Sequence, residues 1–221
     1  MNERIYVNSQ RELDDFLNQH NQLDKYDIYI CFGTIDEPAI LLGIPHAFAN
    51  ESYYVEAHNG THLSLSQRAT GIIFDESYCS AKGSSKVLAL EHSSIVTHDV
   101  ACATLKNNAS GKIYSRATTS AYDDAYVVCT NNAVVKAADN VTVETFKEGY
   151  AILSDTATCK THDKSSAIAT AKNKIEAYDE SNVVGRGCSE ISLHNKASAV
   201  LHDASKVISG AKKGNIITVT D

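Results

Sequence analysis

The chain has 221 residues with a net charge of −7, and 43% of its residues are hydrophobic, which is enough for a substantial core. Residues 1–53 hold nine acidic and three basic residues, whereas residues 54–221 hold 18 acidic and 17 basic ones. This distribution excludes the basic stripe of a nucleic-acid-binding surface. The sequence shows neither a signal peptide nor a transmembrane run, so we expect a cytoplasmic protein without nucleic-acid or membrane partners.

Residues 1–53 predict a small capping head with β-α-β-β order. Ser9 is a suitable helix N-cap, and Leu13, Phe16 and Leu17 form an apolar stripe on the segment that follows it. We expect the head to cover the first open coil of the structure that comes after it, because an exposed sheet edge invites pairing with other chains. The predicted elements are strands over 4–7 (RIYV), 27–32 (DIYICF) and 39–44 (AILLGI) and a helix over 11–20 (RELDDFLNQH).

From Tyr54 to Asp221 the sequence repeats every eight residues, giving 21 consecutive octads whose places we label a to h. Place b is Ala, Val, Ile, Leu or Cys in 17 octads, and place d is one of these in 16. Charged residues often stand between them at place c, which is the period-two pattern of a strand with one buried face. Place f is Asp or Asn in 12 octads and marks the turn. We therefore predict a mainly β protein, a parallel β-solenoid over 54–221.

The number of octads in one coil is left open between two and three. Place c alternates between apolar and polar octads in the C-terminal half, which favours a two-sided coil made of two octads. The b residues, however, group in threes of similar bulk, as in a three-sided coil made of three octads. The apolar c set is Ile152, Ile168, Val184, Val200 and Ile216, and the alternate set is Glu144, Lys160, Glu176, Ser192 and Ile208.

Three cysteines, Cys79, Cys129 and Cys159, fall on inward places and are interpreted as small core residues. No two cysteines form a C-x-x-C pair, which fits a reducing compartment. Repeated turn acids also occur in calcium-binding β-rolls, but those need a Gly-rich nonapeptide, and this chain has no Gly-Gly pair. We therefore expect neither a metal nor a cofactor.

Two outward columns are the candidate binding sites. In a two-sided coil the aromatic and His residues at place e stack on one face, where they could hold a glycan ring or a partner protein. The alternative is that the rings stack on one another and simply stabilise the sheet. The second column is apolar and is a candidate protein interface. The two columns are Phe146, His162, Tyr178 and His194, and Ile152, Ile168, Val184 and Val200.

The octads KIEAYDES (174–181), VVKAADNV (134–141) and AYDDAYVV (121–128) resemble the Ala/Tyr/Asp-rich octapeptide repeats of parallel β-solenoid proteins from bacteria and phages. The resemblance covers about three quarters of the chain. Since most proteins of that type have no assigned function, it implies a fold and a phage or bacterial origin, and it transfers no site residues.

These observations favour a non-enzymatic solenoid that presents a rigid face to another protein, with a phage-encoded inhibitor in the host cytoplasm as one instance. A homodimer is expected, and the last strand, 216–219, offers an uncovered end for end-to-end pairing. The alternatives are a carbohydrate-binding or virion surface component and a polysaccharide-active enzyme. No catalytic residue stands out, because no pair of outward acids is distinguished from the others.

Overall fold

The computed structural model describes residues 2–20, 25–30, 40–41, 54–66, 68–210 and 215–219. The chain divides into two compact units, residues 1–111 and 112–221, and each unit is wound as a parallel β-solenoid. Of the described residues, 51% lie in strands and 5% in a helix. The predicted fold class is therefore confirmed.

The unit 1–111 begins with strand β1 (Glu3–Val7), helix α1 (Gln10–Gln19) and strand β2 (Tyr26–Ile30). The Ser9 side chain accepts a hydrogen bond from the Glu12 backbone N–H, and Leu13 and Phe16 are buried, so the predicted helix and its cap are confirmed. The remaining strands of this unit are β3 (Ile40–Leu41), β4 (Tyr54–Ala57), β5 (His62–Leu65), β6 (Thr70–Ile73), β7 (Tyr78–Ala81), β8 (Lys86–Ala89), β9 (Ser94–Thr97) and β10 (Cys102–Leu105).

The head and the repeats are continuous in hydrogen bonding, since β2 pairs in parallel with β1 on one edge and with β4 on the other. The predicted strands over 27–32 and 39–44 are found at Tyr26–Ile30 and Ile40–Leu41. Their other predicted residues lie outside the described part of the chain. So does the predicted boundary at residue 53, which stays a prediction.

The strand β11 (Ser110–Ile113) spans the division between the units, and the unit 112–221 holds the remaining strands. They are β12 (Thr118–Ala121), β13 (Tyr126–Thr130), β14 (Val134–Ala137), β15 (Thr142–Phe146), β16 (Tyr150–Leu153), β17 (Thr158–Thr161), β18 (Ser166–Ala169), β19 (Lys174–Ala177), β20 (Asn182–Gly185), β21 (Glu190–Leu193), β22 (Ser198–Leu201), β23 (Lys206–Ser209) and β24 (Ile216–Thr218).

Each coil has two sides. Within each unit the even-numbered strands form one parallel sheet, here called sheet A, and the odd-numbered strands form sheet B; β1 belongs to sheet A beside β2. Residues two octads apart are partners in the sheets, as Ile152, Ile168 and Val184 are on sheet A. The repeats thus lie about 16 residues apart. The two-sided coil of two octads is therefore correct, and the three-sided coil of three octads is wrong.

The interior of the coil is filled by places b and d. Strand after strand shows the same alternation, in which the second and fourth residues are buried and the first and third are not. Large and small residues complement each other, since a Cβ added to Gly185 would lie 2.8 Å from Ile191 Cδ1. Cys79, Cys129 and Cys159 are buried among these residues, as predicted.

The turns use place f in the left-handed conformation, which Asp and Asn tolerate. The residues at this place include Asp123 (φ 60°), Lys147 (φ 56°) and Asp163 (φ 57°). The Asp163 carboxylate also bonds to the coil before it, since its Oδ2 accepts from the Lys147 backbone N–H at 3.0 Å. The sequence interpretation missed this second contact, although the recurrence of acids at the f places of alternate octads could have indicated it.

One corner is built differently, because its f place is Ala171, which is not among the residues with positive φ. Here the buried Asn173 carries the turn instead. Its Oδ1 accepts from the N–H groups of Thr170 and Ala171 at 3.1 Å each, and its Nδ2 donates to the carbonyl of Ser154 at 3.0 Å. The larger residue at place h therefore compensates for the missing turn acid.

The octad is interrupted near its end, which corrects the prediction of an unbroken repeat. Ile191 pairs with Val207, but the next residue, Ser192, pairs with Ser209, so that Ile208 is an extra residue in the strand. All later partners are shifted by one position, and Val200 pairs with Ile217. Ile216 and Ile208 therefore do not occupy the c places that the octad predicts for them.

Candidate functional site

The predicted apolar column exists on the outer surface of sheet A in the unit 112–221. We call Ile152, Ile168, Val184 and Val200 the apolar strip; they occupy the third position of β16, β18, β20 and β22 and are successive partners in register. All four are half-buried. Ile217 follows Val200 in register and is 62% exposed. The strip is thus a continuous row of branched apolar side chains, with about 4.8 Å between strands.

The residues beside the apolar strip on the same strands carry little charge. Of the eight positions two residues before or after a strip residue, Arg186 holds the one permanent charge. The other seven are Tyr150, Ser154, Ser166, Thr170, Asn182, Ser198 and His202.

Several of these flanking polar groups are already hydrogen-bonded within the chain. Ser198 Oγ donates to Asn182 Oδ1 at 2.6 Å, and Thr170 Oγ1 donates to the Leu153 carbonyl at 2.9 Å. The flanks are therefore polar but largely satisfied, as at the rim of many protein interfaces.

The outer surface of sheet B in the same unit is charged where sheet A is apolar. At place c, Lys160 and Glu176 form an ion pair at 3.7 Å between Nζ and Oε2. At the first position of their strands, Lys206 and Glu190 form another, at 3.0 Å between Nζ and Oε1. These pairs are exposed and each contributes little to stability, but they give this sheet a hydrated surface.

The predicted aromatic column also lies on sheet B and is a continuous stack. In the aromatic stack, defined as Phe146, His162, Tyr178 and His194, successive ring centroids are 4.7, 5.0 and 4.5 Å apart and the interplanar angles are 6°, 4° and 9°. Each ring covers the face of the next one, at the distances of offset stacking. The structure therefore places the rings in contact with each other, and the interior ring faces are not open to a ligand.

Tyr178 is tied to sheet B by a second contact. Its hydroxyl donates to Glu176 Oε2 at 2.9 Å. This hydrogen bond to a carboxylate, together with partial burial, raises the pKa of the Tyr178 phenol. Because Glu176 also pairs with Lys160, the aromatic stack and the charged row of sheet B form one connected network.

A separate cluster in the unit 1–111 was not recognised from the sequence. His58 Nε2 lies 3.0 Å from Glu56 Oε1, His58 Nδ1 lies 3.7 Å from Asp75 Oδ2, and the His58 ring stacks on Phe74 at 4.4 Å. Tyr54 donates to Glu56 Oε2 at 2.9 Å, and burial, followed by this hydrogen bond, raises the pKa of the phenol. Both carboxylates are thus engaged by neighbours. The signal in the sequence is that Glu56 and His58 share one face of a strand, while Phe74 stands two octads after His58.

The unit 1–111 also has a short apolar row on sheet A. Ile72 and Leu88 are partners in register, but the next residue in the row is Thr104. A shallow depression along β6, β8 and β10 is lined by these three residues and their neighbours. This row is half as long as the apolar strip, so the strip is the larger candidate surface.

Within the described part of the chain, His, Cys, Asp and Glu side chains do not gather in groups of three or more that could hold a metal ion. His162 and His194 are separated by Tyr178 in the aromatic stack. No helix among the described residues is long and apolar enough to cross a bilayer.

Comparison with protein-family models, with curated proteins and with solved structures finds no match for this chain. The class of protein is defined by the fold: a parallel β-solenoid whose repeats lie about 16 residues apart.

Proposed function

We propose that this chain is a non-enzymatic, rigid solenoid that binds another protein through the apolar strip. The observation that carries the proposal is the contrast in register: four coils in succession place Ile or Val at the strip, while the corresponding positions of sheet B carry Glu144, Lys160, Glu176 and Ser192. Apolar side chains aligned on a surface that carries little charge are typical of a protein interface core.

The octad resemblance supports a narrower form of the proposal. The chain would be one of the bacterial or phage octapeptide-repeat proteins, act in the cytoplasm of the cell that contains it, and inhibit or recruit a protein there. In this form the solenoid needs neither a cofactor nor a catalytic residue, because its effect comes from occupying the surface of its partner.

The test uses a double substitution in the apolar strip. Ile168→Lys with Val184→Lys places two charges in the middle of the strip, and we expect a loss of binding of at least about 100-fold, since a buried unpaired charge is costly in an interface. Ser192→Lys, on sheet B at the same place of the octad, is the matched control. The original chain, the double variant and the control variant are each used to capture proteins from extracts of the source organism, and the captured proteins are quantified. Each captured protein is then purified and titrated against the three chains.

The proposal fails if a purified partner binds the double variant as tightly as the original chain.

A carbohydrate role for the aromatic stack is less well supported, because the rings cover each other's faces. It predicts glycan-array binding that is lost on Tyr178→Ala, and an array without signal would discard it.

A further inference from the structure

A second candidate surface lies at the edge of strand β1, in the unit 1–111. In the parallel pair of β1 and β2, the Glu3 backbone N–H donates to the Lys25 carbonyl at 2.8 Å, with Glu3 opposite Tyr26. Since backbone groups alternate in direction along a strand, residues 3, 5 and 7 bond to β2. The N–H and C=O groups of Arg4 and Tyr6 point to the opposite edge, where no strand among the described residues pairs with them.

The side chains on this edge have an open aromatic surface. Tyr6 is 57% exposed, and its ring stacks on that of Tyr29 at 4.9 Å with an interplanar angle of 19°. Tyr29 lies on the side of β2, so the other face of the Tyr6 ring is directed towards the free edge. Arg4 is exposed and lies on the same face of the strand, two residues away.

The residues of β1 are complementary to those of a second copy of β1 that runs antiparallel to it. If two copies of β1 align antiparallel with Ile5 opposite Ile5, Arg4 of each copy stands opposite Tyr6 of the other. These are the residues whose backbone groups face the edge, so the two copies exchange four hydrogen bonds. Each guanidinium then lies over the open face of a Tyr6 ring, which is the favourable geometry for a cation–π contact.

Neighbouring registers are less favourable. Sliding one strand by two residues in one direction places Arg4 opposite Arg4 of the other copy, where like charges repel. Sliding it by two in the other direction places Tyr6 opposite Tyr6 and Arg4 opposite Asn8, whose N–H already donates to Glu12 Oε2 at 2.8 Å. The alignment on Ile5 therefore pairs all the edge groups of Arg4 and Tyr6 and avoids both of these costs at those two residues.

We propose that this chain forms a two-fold dimer by antiparallel pairing of β1 with β1 of a second copy, with Ile5 at the two-fold axis. The dimer joins sheet A of one copy to sheet A of the other by edge addition. The dimer uses residues of the unit 1–111 and the proposed function uses residues of the unit 112–221, so the two proposals stand or fall separately.

The oligomeric state of the full chain is measured by sedimentation equilibrium across a dilution series. We expect a monomer–dimer equilibrium that Arg4→Glu and Tyr6→Ser each weaken by about tenfold, since each removes both cation–π contacts. Arg4→Pro removes an edge N–H but none of the donors that bond to β2, and it should also weaken the dimer. The matched control is Arg11→Glu, which makes the same charge change on an exposed side chain of α1.

A disulfide test fixes the register. In a background with Cys31→Ser, Cys102→Ser and Cys188→Ser, which removes Cys31 and the two exposed thiols of the described residues, Ile5→Cys should give a disulfide-linked dimer under mild oxidation. Opposite residues of a non-hydrogen-bonded antiparallel pair are about 4.5 Å apart between Cα atoms, which suits a disulfide. The background chain with Ile5 intact should give no linked dimer.

Three outcomes would overturn the proposal. The first is a chain that stays monomeric throughout the dilution series. The second is a dimer that withstands Arg4→Glu and Arg4→Pro while far-UV circular dichroism shows each variant folded. The third is a dimer that dissociates on Ile168→Lys with Val184→Lys and not on the β1 substitutions, which would assign self-association to the apolar strip.

Discussion

The outer surfaces of sheets A and B in the unit 112–221 are built on the same backbone and differ in their outward side chains. On sheet B, Lys160 pairs with Glu176 and the rings of the aromatic stack cover each other, so these outward groups contact a partner one coil away. On sheet A the outward row consists of the apolar strip, with Lys136 in register at one end. The comparison shows that inward and turn residues set the coil, and that the outward places are free to diverge. The outward groups of one surface contact each other, and the other surface is the one for which we propose a partner.

The largest expected effect tests whether the two sheets share one interior. Leu153 in β16 of sheet A and Leu193 in β21 of sheet B occupy the same inward place and are buried. We expect Leu153→Ala and Leu193→Ala each to lower the free energy of unfolding by about 3 kcal/mol, because each leaves a cavity. Urea denaturation measures both. A loss below about 1 kcal/mol at one site alone would mean that the two sheets are not equivalent in their packing.

Substitutions at the turns, where the chain passes from one sheet to the other, are expected to lower the free energy of unfolding by less. Asp163→Ala removes the acceptor for the Lys147 N–H at 3.0 Å and puts Ala in a left-handed turn, which should cost about 1.5 kcal/mol. Asp155→Ala, at the other corner, removes a longer contact of 3.5 Å to the Asp139 N–H. It also removes an acceptor for Ser154 Oγ, but that hydroxyl keeps the Ala137 carbonyl, so this substitution should cost less. Lys164→Ala, on the neighbouring exposed residue, is the control. Equal losses for all three in urea would remove the role assigned to the turn carboxylates.

Single substitutions on the two outward surfaces should lower the free energy of unfolding by different amounts. Tyr178→Leu breaks two ring contacts and the hydrogen bond to Glu176, so we expect it to lower the unfolding free energy by about 1 kcal/mol. Ile168→Thr in the apolar strip keeps a β-branched side chain and should cost less than about 0.5 kcal/mol. The same urea experiment compares them. The reverse order of losses would show that the strip already serves the stability of the isolated chain.

The smallest expected effect is on the pH dependence of stability at alkaline pH. Because the pKa of Tyr178 is raised in the folded chain, its contribution to stability is complete below the unfolded value of about 10 and is lost as the pH rises above it. We expect Glu176→Gln to lower this pKa, which a phenolate absorbance titration against Tyr178→Phe would detect. Stability that falls equally above pH about 10 in the original chain and in Tyr178→Phe would contradict the coupling.

Much of the fold could be predicted because the octad states it many times over. The strands and the turn residues at place f follow from the period alone, because many octads repeat the same pattern and a single exception does not hide it. The two outward columns also needed the size of the coil. The number of octads in one coil was harder to predict, because b residues of similar bulk can be grouped in threes although the coil contains two octads. It was the alternation of Ile152 and Ile168 with Lys160 and Glu176 that carried the correct answer.

What the sequence interpretation missed depends on single residues. The extra residue Ile208 cannot be recognised from the octad, because place c also accepts apolar residues. The shift in strand pairing that follows, by which Val200 pairs with Ile217, was therefore not predicted. Place h is Ala, Ser or Gly in 16 octads. Asn173 is an exception there, and its role depends on Ala171 two positions earlier. The edge of β1 could not be interpreted from the repeat at all, because β1 precedes the first octad and its partner β2 follows only after the helix α1.

The bonds from the turn carboxylates have a direction with consequences for synthesis. In those that accept from a backbone N–H, the acceptor belongs to the coil that comes later in the chain, as Asp163 does for Lys147 and Asp179 does for Asp163. On the ribosome, a nascent coil therefore waits for the next two octads before its corner is closed. Winding is thus expected to proceed from the N-terminal to the C-terminal coils as the chain emerges, with the two most recent corners still open at the growing end.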